Sequence, residues 1–200
     1  IALADALEAT LEANPGSAEA EKFAGFRAAG INRLSLGIQS FQNEQLAALG
    51  RVHDSDQAHA AVEAARRAGF QRINLDLMHG LPAQGASAAM ADLATASGYQ
   101  TGHLSWYQLT IEQNTVFYKQ PPILPVEDVL ADIQDAGEIQ LAAAGLEQYE
   151  VSAWAAAGEQ CRHNLNYWQF GDYLGIGAGA HGKVSFSEGR IMRYAKRRQP

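Results

Sequence analysis

Apolar positions along the chain follow two periods. Helical spacing marks stretches such as Ala58, Ala61, Val62 and Ala65, which fall on one face of a helix. Alternation marks stretches such as Arg33-Leu34-Ser35-Leu36-Gly37-Ile38-Gln39, where every second side chain is branched and apolar. The pattern predicts a helix end over 1–8, then a strand over 9–13. It continues with a helix at 18–29, a strand at 31–39, a helix at 55–68 and a strand at 71–78. A weaker helix near 86–97, a strand at 103–111, a helix at 127–144 and a strand at 148–154 follow. Three helical stretches stop at Ala-Gly (Ala29-Gly30, Ala68-Gly69, Ala144-Gly145) and lead directly into a strand. Glycine supplies the left-handed residue that closes a helix. Repeated helix-then-strand units imply a parallel sheet covered by helices, so the fold class is α/β.

Local chemistry supports these boundaries. Asp54 is placed to cap the helix that starts at Ser55, with Gln57 completing a capping box. The loop 113–125 carries Pro121-Pro122, and residues 155–200 form a glycine-rich, irregular end. A hairpin is expected there, Val184–Phe186 against Arg190–Arg193, turned at Ser187-Glu188-Gly189. No low-complexity linker divides the chain, which reads as one domain.

Strand parity says more about function. Leu34, Leu36 and Ile38 oppose Ser35, Gly37 and Gln39; Ile73, Leu75 and Leu77 oppose Asn74, Asp76 and Met78. Leu11 opposes Thr10 and Glu12, while Leu104 and Trp106 oppose Ser105 and Tyr107. The apolar face meets the helices, which leaves a face too small and polar to pack as a closed barrel core. A cavity for a polar ligand is therefore expected, with Glu12, Gln39, Asp76 and Tyr107 at its C-terminal rim. Each of the four taken singly is unremarkable: a turn acid, a capping amide, an ion-pair acid and a core phenol. Four polar groups at equivalent strand ends together define a site.

Composition narrows the partners. The 200 residues are 47% hydrophobic with a formal net charge of −7, and the basic residues are scattered until Arg193–Arg198. That distribution argues against a nucleic-acid surface over most of the chain. No apolar run is long enough for a membrane span, and no signal peptide is visible. A single cysteine, Cys161, excludes an internal disulfide framework and suits a reducing cytoplasm.

Two glycine-rich segments imitate nucleotide loops. Gly177-Ala-Gly-Ala-His-Gly182-Lys183-Val184 has Val184 where magnesium binding needs Ser or Thr, and it leads into a strand, not a helix. Gly175-Ile-Gly177-Ala-Gly-Ala180 lacks a surrounding strand-turn-helix unit. Neither is read as a phosphate loop. Asp76 and His79 would face opposite ways on a strand, which disfavours a shared metal. Cys161, His163, Asn164, Tyr167 and Trp168 are densely set, with His181 downstream. On residue types alone this is first a packed aromatic turn, and second a place for a flat porphyrin with His, Cys or Tyr as iron ligand.

Longer motifs carry a resemblance. Glu12-Ala-Asn-Pro-Gly16, Leu34-Ser-Leu-Gly-Ile-Gln39-Ser-Phe41, Leu49-Gly-Arg51-Val-His53, Asn74-Leu-Asp76-Leu-Met-His-Gly80-Leu-Pro82 and His103-Leu-Ser-Trp-Tyr107-Gln-Leu-Thr-Ile111-Glu run in order along the chain. Together they resemble the oxygen-independent coproporphyrinogen III oxidases, a radical S-adenosylmethionine (radical SAM) family. Cys161-Arg-His163-Asn164-Leu-Asn-Tyr167-Trp168 and Gly175–Lys183 resemble its heme chaperone branch.

The resemblance implies a partial (β/α)6 TIM-like barrel whose C-terminal rim binds S-adenosylmethionine against a [4Fe–4S] cluster. It also implies that Glu12, Gln39, Arg51 and Asp76 contact that cofactor, and that His163, Asn164 and Tyr167 handle heme. The implied function is binding heme and delivering it to acceptor proteins. The alternative is oxidative decarboxylation of coproporphyrinogen III, and a reading of another class is a barrel hydrolase or aldolase using Asp76 and His79. The family's CxxxCxxC cluster loop is not in this sequence. The chain is accordingly expected to be an internal piece, truncated at both ends, with no cluster ligands or complete catalytic apparatus of its own.

Overall fold

The computed structural model describes residues 5–16 and 20–198. They form two compact units, Ile1–Gln160 and Cys161–Pro200. The first holds strands β1 (Thr10–Ala13), β2 (Arg33–Gln39), β3 (Arg72–His79), β4 (Gly102–Gln108), β5 (Glu147–Gln148) and β6 (Ala153–Ala155). Its helices are α1 (Phe23–Ala28), α2 (Asn43–Ala48), α3 (Ser55–Arg67), α4 (Ala86–Gly98), α5 (Val116–Lys119) and α6 (Glu127–Ala143). The second unit holds α7 (Arg162–Trp168) and an antiparallel hairpin, β7 (His181–Ser185) with β8 (Ile191–Ala195).

The sheet of the first unit runs β1-β2-β3-β4-β6-β5, with β1 to β4 parallel and in chain order. This is the architecture the Ala-Gly junctions predict, and Gly30, Gly69 and Gly145 all have the positive φ that ends a helix. Asp54 and Gln57 form the expected reciprocal capping box on α3. Leu34, Leu36, Ile38, Leu75 and Leu77 are fully buried and pack with Ala58, Val62, Ala65 and Leu93 of the covering helices. Gly137 of α6 is required by the indole of Trp106: an added β-carbon would lie 1.9 Å from that ring.

The structure corrects the sequence reading in several places. The strand expected at 148–154 folds back as β5 and β6, and β6 is antiparallel to β4. Tyr149 N–H bonds to Ala153 O and Gln148 Nε2 to Val151 O, which closes a tight hairpin where continuous alternation suggested one strand. Short helices α5 and α7 occupy segments read as a loop and a turn, and α2 lies in a segment to which the pattern assigned no element. The helix expected at 18–29 is described only as α1, since 17–19 lie outside the described residues, as do 1–4 of the expected first helix. Among the described residues, no strand pairs with the outer edge of β1.

The N-terminal end of the sheet is an ionic floor. Arg33 and Arg72 open β2 and β3; both pair with Glu8, and Arg72 also holds Glu159 at 2.9 Å.

Candidate functional site

The polar face of the sheet is a hydrogen-bonded network. Ser35 Oγ donates to Asp76 Oδ2 at 3.0 Å, and Asn74 Nδ2 lies within 2.9 Å of Ser35 Oγ, Asp76 Oδ1 and Ser105 Oγ. Asn74 Oδ1 takes the Nδ1 hydrogen of His103 at 2.6 Å, so His103 Nε2 accepts from the Tyr149 hydroxyl at 2.7 Å. The inner rows of the expected cavity are therefore filled by mutual hydrogen bonds.

At the strand ends the sequence-derived residues meet. The Tyr107 hydroxyl donates to Gln39 Oε1 at 2.9 Å, spanning β4 to β2. Burial pushes the Asp76 carboxyl above its ordinary 3.8; bonds from Ser105, Ser35 and Asn74 oppose this, and the Glu12 charge adds to it. Burial likewise raises the Tyr107 phenol, as does the Asp76 charge, while Arg51 and the Gln39 bond draw it down. Glu12, Asp76, Tyr107, Arg51 and Gln39 thus share one electrostatic neighbourhood, with Glu12 and Arg51 exposed on its rim.

Gly37 floors this rim. A β-carbon there would come 3.0 Å from Asn14 Oδ1 and Gln39 Nε2, so the two side-chain amides converge over Gly37 and would have to shift by a few tenths of an ångström to admit one. Asn14 was not singled out by parity; its signal was its place in the Glu12-Ala-Asn-Pro-Gly16 motif just past β1.

His79 does not join Asp76. Its ring stacks on Trp106 with centroids 4.1 Å apart, its Nδ1 is buried without a partner, and desolvation lowers its pKa to about 4. That geometry removes support from a hydrolase or aldolase built on the pair. A cavity of about 450 Å³ opens elsewhere, at the N-terminal end of β4, lined mainly by small residues such as Ala96, Gly102, Ala143 and Ala156. It lies at the wrong strand end for the rim residues.

The second unit carries the other candidate cluster. His163, Asn164 and Tyr167 lie on α7, where a four-residue spacing puts His163 and Tyr167 on one face. His163 Nδ1 is 3.0 Å from Cys161 Sγ, and the Tyr167 ring meets Tyr173 edge-on at 4.8 Å. Tyr167, Trp168 and Phe170 are 56%, 59% and 56% exposed, so this is an open aromatic surface and not the packed turn expected. Lys183, the lysine of the false phosphate loop, is consumed structurally. Its Nζ donates to Phe170 O at 2.8 Å and to Asp172 Oδ1 at 3.0 Å.

Comparison with known proteins agrees with this architecture. Residues 2–93 match the radical SAM superfamily. The coproporphyrinogen III oxidase HemN of Escherichia coli, a radical SAM enzyme, superposes with a TM-score of 0.73 at 25% identity, covering 88% of this chain and 44% of that one. Elp3 of Methanocaldococcus infernus shares the fold alone, with a TM-score of 0.54 at 17% identity over 66% of this chain and 32% of that one. Residues 2–93 are thus similar to the radical SAM superfamily, and the α/β fold of the chain is similar to part of that oxidase's TIM-like fold.

More particularly, it is homologous to the heme chaperone HemW. It is 54% identical over 198 residues to HemW of Escherichia coli (strain K12), which is 99% of this chain and 52% of that protein. To HemW of Bacillus subtilis (strain 168) it is 40% identical over 184 residues, 90% of this chain and 48% of that protein. To the mouse mitochondrial radical S-adenosyl methionine domain-containing protein 1 it is 43% identical, over 88% of this chain and 41% of that protein. The chain spans about half the length of the curated relatives it matches.

Proposed function

We propose that this chain is part of a heme chaperone of radical SAM descent, which binds heme and delivers it to acceptor proteins in the cytoplasm. The observation that carries the reading is the His163–Tyr167 face of α7, set among exposed Tyr167, Trp168 and Phe170. Imidazole and phenol are iron ligands, and the flanking rings suit a flat macrocycle. Identity of 54% to proteins named heme chaperone supports it.

The strand-end rim suits S-adenosylmethionine by its donor set. Carboxylates at Glu12 and Asp76 accept from hydroxyl or ammonium groups, Arg51 complements a carboxylate, and Gln39 offers both donor and acceptor. When bound against a [4Fe–4S] cluster, that cofactor supplies radical chemistry. This chain's own residues would bind and orient it, and the cluster's thiolates would come from elsewhere in the complete protein.

Heme titration of the complete protein, followed by absorbance, tests the reading. Tight binding that weakens at least tenfold in His163→Ala and Tyr167→Phe is expected; binding indifferent to both changes overturns it. The fold match to the coproporphyrinogen III oxidase favours a second reading, oxidative decarboxylation of coproporphyrinogen III. Protoporphyrinogen IX formation by the complete protein with a reductant would establish that activity.

A further inference from the structure

Gln39 has a backbone that a non-glycine residue adopts only under constraint. Its φ is +69°, and Ser40 N–H donates to Ile38 O at 2.9 Å, closing a three-residue turn with Gln39 at the centre. A γ-turn with positive φ is rare and strained, because the β-carbon crowds the following carbonyl. Such strain persists only where neighbouring groups over-determine it. The register of β2 on β3 shifts between Leu36 and Gln39, so the turn also ends regular pairing.

Two buried side chains fix the turn from both sides. His53, 4% exposed, places Nε2 3.0 Å from Ile38 O; because a carbonyl only accepts, Nε2 carries the hydrogen. Asp92 of α4, 2% exposed, accepts Ser40 Oγ–H at 2.7 Å on Oδ2 and Phe41 N–H at 2.8 Å on Oδ1. Gln39 is held between an anchored carbonyl before it and an anchored hydroxyl and amide after it. Its side chain thereby reaches the Tyr107 hydroxyl. His53 lies two residues from Arg51, so the same imidazole bond ties the Arg51 loop to the end of β2.

We propose that His53 and Asp92 are positioning residues of the S-adenosylmethionine site, acting through the Ile38–Phe41 turn to hold Gln39, and in the case of His53 also Arg51, in binding geometry. This rests on the reading that Gln39 contacts that cofactor. Asp92 has both carboxylate oxygens committed to the turn, so its influence on a ligand passes through Gln39.

The test is calorimetric titration of S-adenosylmethionine into the complete protein with its cluster assembled. Wild type is compared with Gln39→Ala, His53→Ala, Asp92→Ala and Asp92→Asn, and with the Gln39→Ala/Asp92→Ala and Gln39→Ala/His53→Ala double variants. His53→Ala and Asp92→Ala are each expected to weaken binding about tenfold, the scale of a lost buried hydrogen bond. Asp92→Asn keeps an acceptor for Phe41 N–H and should restore most of the affinity. In the Gln39→Ala background the Asp92 change should add less than about twofold. The His53 change should keep only the part that runs through Arg51. Ser40→Ala, which removes the bond to Asp92 Oδ2 and the one Ser40 Oγ accepts from Gln42 N–H but leaves the Phe41 N–H bond to Asp92, gives an expected loss of roughly threefold and serves if Asp92→Ala does not fold. Undiminished losses from Asp92→Ala in the Gln39→Ala background would make its role merely structural and overturn the proposal for it. Wild-type affinity in His53→Ala and Asp92→Ala would overturn it outright. A wild type that does not bind, or a Gln39→Ala variant that binds normally, would instead bring down the cofactor reading, and the positioning role with it.

Discussion

The Tyr107 hydroxyl donates to Gln39 Oε1 at 2.9 Å, so the ends of β4 and β2 are bridged directly over the intervening strand β3. This bond orients the amide of a residue whose backbone is already fixed. Tyr107→Phe should therefore leave the fold intact, at a cost of about 1 kcal/mol in stability, the usual net worth of a hydrogen bond. It should weaken S-adenosylmethionine binding by several-fold. Thermal denaturation and calorimetric titration of the complete protein measure the two effects separately.

Asp76 is expected to show opposed effects on stability and binding. Its folded carboxyl titrates above the ordinary 3.8, so the folded state holds a proton that the unfolded state has released. Stability contributed by this group consequently falls as pH rises above about 3.8, where the buried carboxylate must charge. Asp76→Asn should bind the cofactor poorly yet melt at or above the wild-type temperature near neutrality. That advantage should shrink as pH is lowered towards 3.8, which melting curves across pH would show.

His79 has the opposite sign. Its pKa is lowered from 6.5 to about 4, so the unfolded chain binds a proton that the folded imidazole refuses. The stability it contributes is present above 6.5 and is lost as pH falls towards 4. The size is on the order of 3 kcal/mol. His79→Phe keeps a ring against Trp106 and should flatten the acid limb of a plot of Tm against pH.

Gly137→Ala tests the packing of α6. Alanine favours helix by about 1 kcal/mol over glycine, but its methyl would meet the Trp106 indole. Overpacking of this kind costs about 1–3 kcal/mol or more, so a net loss of stability is expected by chemical denaturation. An unchanged midpoint would mean that the indole can move aside.

The parts of this protein that local chemistry determines were legible in its sequence. Asp54 and Gln57 lie three residues apart and cap α3; Gly30 and Gly69 close helices and start parallel strands. Alternation in β2 to β4 put Gln39, Asp76 and Tyr107 on one face before any geometry was known. Arg51 escaped that argument because it lies in a loop, and only the motif resemblance drew it in. The Gln39 turn was hidden because alternation continues through Ile38 and Gln39, while the groups that bend the chain, His53 and Asp92, act across 15 and 51 or 52 residues. Residues 148–154 misled for the same reason: β-alternation does not reveal a reversal closed by Tyr149 on Ala153. Residues 162–168 have no apolar stripe to announce a helix, so α7 read as a turn.

Among the described residues no strand covers the outer edge of β1, which has a practical meaning for anyone preparing this chain by itself. A row of free amide and carbonyl groups is a template for a strand from another molecule. Material made from these residues alone would accordingly be prone to self-association through sheet extension, more so as concentration rises. Lysine at Thr10, which lies on the face of β1 opposite the core-packed Leu11 and Ala13, is the direct remedy, with light scattering as its measure.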